Sequence, residues 1–254
     1  MTMRNRVLTI QVATIVVLLG AYELFARSHL VYEGVVPPLG LLVTAIVAAL
    51  QTGDTYANFG VTVGEVAVGF GIGTAAGIVV GIWVGASPRV RAALGPYLDG
   101  FATAPKIVFF PIFLLMFGVG PGSKAALGAL SAFFPVVLTV AAAVRHINPV
   151  FVRVGRSFNA SRTQMVRLIY LPALVPAVVN GMRIGLGVSI IGVLLGEIKL
   201  SDKGIGFQTI DAYNHFRIPQ MYALLILIFA VAVLANIGLG HLEAGQRRLR
   251  ERST

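Results

Sequence analysis

Apolar residues fall in long uncharged runs separated by short polar stretches, a spacing that fits neither a one-faced soluble helix nor an alternating strand. Val7 to Tyr22 carries no charge and continues apolar across Glu23 to Ala26. That is long enough to cross a hydrocarbon core of about 30 Å as a helix. The same length recurs at Val66 to Pro88, at a core of Ile107 to Ser123, and at Ala125 to Val144. It recurs again after Pro172 to Gly196, broken only by Arg183, and at Ile218 to Leu242. The start of the third run is blurred by Asp99, Pro105 and Lys106. The pattern predicts six membrane-spanning helices, an all-α integral membrane protein with both termini on one side. Pro37 and Pro38 introduce a shorter run, Leu39 to Leu50, expected to lie on the outer surface or against the bundle. The run is long and no good small-x-small cleavage site follows it, so it is read as a retained helix in preference to a signal peptide.

Composition supports the bilayer as solvent. Only 12% of the 254 residues are charged and 57% are hydrophobic, too little polar surface to cover one core in water. Twenty Lys and Arg against ten Asp and Glu give a net charge of +10. In a soluble protein this would suggest nucleic acid, but a membrane protein reaches it by concentrating cations in cytoplasmic loops. Loops on the side of the termini hold 13 Lys and Arg: Arg4, Arg6, Arg89, Arg91, Arg145, Arg153, Arg156, Arg162, Arg167, Arg247, Arg248, Arg250 and Arg252. The other side holds 5, Arg27, Lys124, Lys199, Lys203 and Arg217. The excess predicts cytoplasmic termini, with a basic tail lying against anionic headgroups. Residues 1–57 are expected to form an N-terminal helix and external segment. Residues 58–254 are expected to form the core, including the cytoplasmic loop 145–171.

Several chemistries are absent from the pattern. There is no cysteine, hence no disulfide or thiolate site. There is no phosphate-binding G-x-x-x-x-G-K-[ST] loop, and Gly71 to Ala76 matches a dinucleotide fingerprint only by letter, inside an apolar helix. His29, His146, His215 and His241 are dispersed, so no metal site is expected, and no nucleophile elbow frames a serine. Neither a catalytic centre nor a cofactor bound by this chain is expected. Gly69, Gly73, Gly77, Gly81 and Gly85 recur every fourth residue in the second run, one helix face on which another backbone can approach closely.

The loop before the fifth run looks structured. Ser161 and Gln164 have capping-box spacing, so a helix is expected to start there, with Met165, Leu168 and Ile169 forming its apolar face. Asn159 tolerates a left-handed backbone and is placed at a bend between two short helices. The structural reading is a surface hairpin; the functional one is a docking element.

Here the chain resembles the permease subunit of binding-protein-dependent ATP-binding-cassette (ABC) importers. That family's loop reads E-A-A, three residues, Gly, nine residues, then I-x-L-P. Asn159 falls on the glycine, Ile169, Leu171 and Pro172 follow at the family's spacing, and Arg153, Val154 and Gly155 stand in place of E-A-A. Pro105-Lys106-Ile107, Phe117 to Gly120, Phe133 to Pro135, Gly181 to Ile184 and Glu197 before Gly204-Ile205-Gly206 look like the nitrate, sulfonate and taurine branch. The resemblance covers about Asn58 to Leu242. It implies a type I importer permease fold in the inner membrane, a second permease copy as a homodimer, and an external solute-binding protein. It also implies cytoplasmic ATPase subunits that hold the ATP and Mg. The ATPase-coupling residues it implies are Arg153, Arg156, Ser157, Phe158, Asn159, Ala160, Ser161, Arg162, Gln164, Leu171 and Pro172.

Lys106 and Arg183 lie near or inside spans, where a charge is costly. They are candidates for attracting an anion along the translocation path; the structural alternatives are a capped helix end and a paired arginine. Glu197 is a candidate contact for a docked binding protein, or simply a solvated helix end. The competing functions are an ATP-independent secondary transporter or channel, and a membrane scaffold. Ion-coupled carriers place carboxylates in mid-span, whereas here Asp and Glu are read at span ends.

Overall fold

The computed structural model describes residues 3–28, 30 and 34–251, without the side chains of Arg4, Arg162 and 241–251. His29, the side chain of His241 and the basic tail side chains, Arg247, Arg248, Arg250 and Arg252, therefore lie outside the described residues. Among those described there is no strand. The helices are α1 (Met3–Arg27), α2 (Leu39–Gln51), α3 (Gly53–Ala86), α4 (Pro88–Thr103), α5 (Phe110–Phe117) and α6 (Pro121–Arg145). They continue with α7 (Pro149–Ser157), α8 (Arg162–Met165), α9 (Leu171–Lys199), α10 (Ile205–Asn214) and α11 (Ile218–Glu251).

Five of these helices are long and apolar enough to cross a membrane, and a sixth span exists if one bent pair is counted as a unit. That pair corrects the third expected span. Ile107 to Ser123 is not one helix: a 3-10 turn, Lys106–Phe109, leads into α5, which stops at Gly118. With α4 the pair bends by 96°. The cause is local. Ala104 is extended ahead of Pro105, Pro111 sits in the first turn of α5, and Gly118 has φ 71°, a left-handed value that ends the helix. The second span also begins earlier than Val66, at Gly53, because the polar residues of its first turns find partners inside the protein.

The chain divides into two compact units. One comprises Met1–Tyr56 with Gln208–Leu227 and the other Ala57–Phe207 with Ile228–Thr254. In the first unit Glu23 takes the Leu39 N–H at 2.8 Å and so caps α2 in trans, while also accepting from Arg27 Nε at 2.6 Å. The Tyr22 hydroxyl donates to the Pro37 carbonyl at 2.8 Å. An acid near the end of an apolar run thereby becomes the fastening of the next helix.

In the second unit α6 is central and packs along α9. Gly128 lies where a Cβ would come within 2.8 Å of Val193 Cγ2, and Gly192 where one would come within 2.6 Å of Ser131 Oγ. The other side of α6 receives the glycine face of α3. A Cβ on Gly69 would stand 2.5 Å from the Ala125 carbonyl oxygen, one on Gly77 2.8 Å from Val136 Cβ, and one on Gly85 2.7 Å from Val144 Cβ. Gly73 faces the Ala129 carbonyl and Gly81 faces Val140. Real Cβ atoms do not approach so closely, so these residues set the helix separation.

Gly73→Ala should therefore cost about 1–3 kcal/mol by overpacking. Gly71→Ala, two residues away with open space around it, should be neutral or gain up to about 1 kcal/mol from helix propensity. Thermal unfolding of the two variants in detergent checks the contrast.

Candidate functional site

The basic hairpin between α6 and α9 is built by two opposed caps. Asn148 Oδ1 accepts from the Val150 N–H at 2.9 Å and opens α7. At the other end the Ala160 N–H reaches the Gly155 carbonyl and the Asn159 N–H reaches the Arg156 carbonyl, both at 3.0 Å. This is a Schellman termination with Asn159 in the left-handed position at φ 51°. The capping box then starts α8: Ser161 Oγ accepts from the Gln164 N–H at 3.3 Å and Gln164 Oε1 accepts from the Ser161 N–H at 2.8 Å. Gly155 lets the two short helices close, because a Cβ there would meet Ile169 Cδ1 and Met165 Sδ at 2.6 Å.

After α8 the backbone widens to a π-turn over Val166–Tyr170, with the Leu171 N–H bonded to the Val166 carbonyl. Pro172 has no N–H to give to the carbonyl four residues earlier, which favours this wider turn. The widened turn changes the expected face. Met165 is buried and Ile169 packs against Gly155, but Leu168 is turned outward and 68% exposed. Arg153, Arg156, Ser157, Phe158, Asn159, Ser161, Gln164, Leu171 and Pro172 all lie on the exposed side, with Ala160 half-buried. The side chain of Arg162 lies outside the described residues. Phe158 is 83% exposed at the tip between the two short helices.

A second cluster lies deep in the packing of α3, α6 and α9. Glu197 Oε1 accepts from the Thr62 hydroxyl at 2.7 Å and Oε2 from the Gly206 N–H at 2.6 Å. Thr62 Oγ1 accepts in turn from the Ile205 N–H at 2.9 Å, and Asn58 Oδ1 from the Gly204 N–H at 2.6 Å. Three successive N–H groups at the start of α10 are thus held by side chains of α3 and α9. Gly204 has φ 103°, and a Cβ there would run into the Glu197 carboxylate. Lys124 donates to the Val119 and Gly120 carbonyls and so secures the break between α5 and α6.

Two expectations are corrected here. Glu197, expected as a contact for a binding protein or as a solvated helix end, is 1% exposed, with both oxygens engaged by the chain itself. Lys124 was counted among outer-loop cations and is also 1% exposed. Glu65 is 4% exposed within α3, an interior position and not the span end expected for nearly all the carboxylates. The signal was present. Asn58, Thr62 and Glu65 recur at helical spacing, and Gly69 and Gly73 continue the same face.

The two cations assigned to a path make different contacts: one closes a helix end and the other links two helices. Lys106 Nζ donates to the Ala102 carbonyl, closing α4, and stands 5.5 Å from the centroid of the Phe134 ring. Arg183 Nε donates to Asn236 Oδ1 at 3.1 Å, linking α9 to α11. Neither borders the hollow of about 320 Å³ between α3, α9 and α11, whose walls include Phe59, Val66, Phe70, Leu186 and Ile190. Among the described residues no group of three His, Asp or Glu side chains is placed to hold a metal ion.

Residues 73–250 match the family model described as the binding-protein-dependent transport system inner membrane component. The chain is 29% identical over 250 residues to the taurine transport system permease protein TauC of Escherichia coli, covering 96% of this chain and 90% of that one. It is 27% identical over 220 residues to the putative aliphatic sulfonates transport permease protein SsuC of Bacillus subtilis, covering 87% and 80%. It is 30% identical over 180 residues to the nitrate import permease protein NrtB of a Synechocystis strain, covering 71% and 66%. Among solved structures, an inward-facing form of the MetNI methionine ABC transporter contains a chain of the same fold. There the TM-score is 0.59 at 19% identity, over 82% of this chain and 97% of that one.

The hairpin geometry makes a graded prediction. Asn159→Gly should leave the hairpin intact, whereas Asn159→Val should cost about 1–2 kcal/mol for a β-branched residue at positive φ. Ser161→Ala should cost about 1 kcal/mol of cap. Limited trypsin digestion at Arg156 and Arg167 reads both, with faster cleavage in the Val and Ala variants than in the Gly variant.

Proposed function

From the premise that the chain belongs to the binding-protein-dependent transport system inner membrane component family, we propose that it forms the translocation path of an ATP-driven importer for small sulfonate or nitrate-like anions. It is a multi-pass inner-membrane permease component. Two copies would make the path, an external binding protein would deliver the solute, and separate cytoplasmic ATPases would hold ATP and Mg. The chain itself performs no catalysis. The substrate class rests on the relatives named for taurine, aliphatic sulfonates and nitrate.

The observation that carries the reading is the doubly capped hairpin with Phe158 at its tip. Ordering an exposed loop costs about 1–2 kcal/mol of backbone entropy per residue. A basic loop that uses two caps to present an exposed apolar ring is shaped for a partner surface. In the proposed orientation the hairpin and both termini face the cytoplasm, the side that the excess of Lys and Arg favours. ATP binding would draw the ATPase pair together and move the hairpins. Each hairpin runs into α9 through the π-turn, so the motion would reach the spans as rotation of a packed α6 and α9 pair. Arg183, partly exposed on α9, is retained as a contact along the path, while Lys106 serves as a fastening.

Because the chain has no cysteine, Ser161→Cys introduces a unique thiol. Crosslinking from it in the native membrane should capture a polypeptide with a phosphate-binding loop, and scrambling 153–167 should abolish capture. Cytoplasmic labelling of the thiol without any captured ATPase would turn the reading to an ATP-independent carrier.

A further inference from the structure

The hollow bordered by α3, α9 and α11 has a volume of about 320 Å³, and every residue around it belongs to the second unit. Thr62 and Leu186, both buried, form its floor, and half-buried side chains such as Phe70 form its walls. Val63 and Ala67 on α3 and Val231 and Ala235 on α11 stand exposed, so the mouth lies between those two helices.

The lining offers nothing for a polar occupant. Thr62 is the one polar residue among those described there, and its hydroxyl is committed elsewhere: it donates to Glu197 at 2.7 Å and accepts from the Ile205 N–H at 2.9 Å. An anion entering this space would shed its hydration without compensation. Water fares no better, since a void of about 150 Å³ walled by Leu, Ile and Phe stays dry and takes up benzene. Empty space is costly as well, because atoms that line a void lose their dispersion contacts on that side. Hydrocarbon meets all three conditions.

The position agrees with the chemistry. On α9 the lining runs from Leu186 to Leu194, about 8 to 20 Å along the helix from its end at Lys199. That end is the one opposite the hairpin, and the depth is that of acyl chains. On α11 the wall continues into Phe229 and Leu234, exposed apolar side chains of a membrane-length helix, so the mouth opens onto a surface continuous with the lipid-facing one.

We propose that this hollow is a binding site for one phospholipid acyl chain, taken from the leaflet opposite the hairpin and held between α3 and α11, and that the transported solute does not enter it. The site requires only that the chain stand in a bilayer, and it holds whether or not transport is driven by ATP.

The test uses the purified full chain in vesicles of phosphatidylethanolamine and phosphatidylglycerol, doped with a phospholipid that carries a photoreactive diazirine midway along one acyl chain. After irradiation and proteolysis, mass spectrometry should find adducts several-fold denser on 59–70, 186–194 and 228–235 than on 12–19 of α1, an exposed apolar stretch of another span. Ala67→Leu and Ala232→Leu each fill part of the space, and each should lower the adducts at the hollow while leaving those on α1 unchanged. The wild-type comparison stands by itself if either variant fails to fold: adducts no denser at the hollow than on α1 overturn the proposal. Protection of the hollow by taurine or nitrate would make it a station for the solute and overturns it as well. So does a disulfide between two copies of Val63→Cys, a unique thiol in a chain without native cysteine, because it would put a second copy over the mouth.

Discussion

A helix that ends inside hydrocarbon leaves backbone N–H and C=O groups with no water to bind, and the whole second unit is arranged around meeting that demand. At three of its breaks a buried or half-buried polar side chain from the same or a neighbouring element closes the gap. Lys106 closes the end of α4, and Lys124 holds the turn before α6. Glu197 with Thr62 and Asn58 receives the start of α10. Lys106, Lys124 and Glu197 are therefore fastenings of broken helices. Burying them costs free energy, which a hydrogen bond to an otherwise orphaned backbone group offsets.

Packing and fastening depend on each other. The glycines of α3 bring it against α6 so closely that a single Cβ would collide with backbone carbonyl oxygens. That approach in turn keeps Thr62 within reach of Glu197 on α9. The pair α6 and α9, joined by reciprocal small residues, is then a stiff unit with the hairpin at its end. A force applied to the hairpin has little to deform before it reaches the spans, which is the mechanical property a permease driven from outside itself requires.

Much of this was legible in the sequence. The apolar runs located α1, α6, α9 and the start of α11 to within a few residues, and Ser161 with Gln164 gave the capping box as the structure has it. The third run was misread because apolar length alone does not separate a straight span from a bent pair; Pro105, Pro111 and Gly118 carried the break. The outward turn of Leu168 follows from a π-turn that no 3.6-residue period contains. The burial of Lys124, Glu65 and Glu197 could not be read from each residue alone, since a charge at a helix end looks solvated until its tertiary partners are known. The polar stripe Asn58, Thr62, Glu65 was the available hint.

The central claim, that the hairpin couples these spans to ATP, is tested most directly in sealed vesicles holding the permease with its ATPase, with the binding protein and labelled taurine, sulfonate or nitrate outside. The account predicts solute accumulation that requires ATP on the hairpin side and stops when Phe158 is replaced by Asp. Accumulation driven by a proton or sodium gradient without ATP, and indifferent to Phe158, would contradict it.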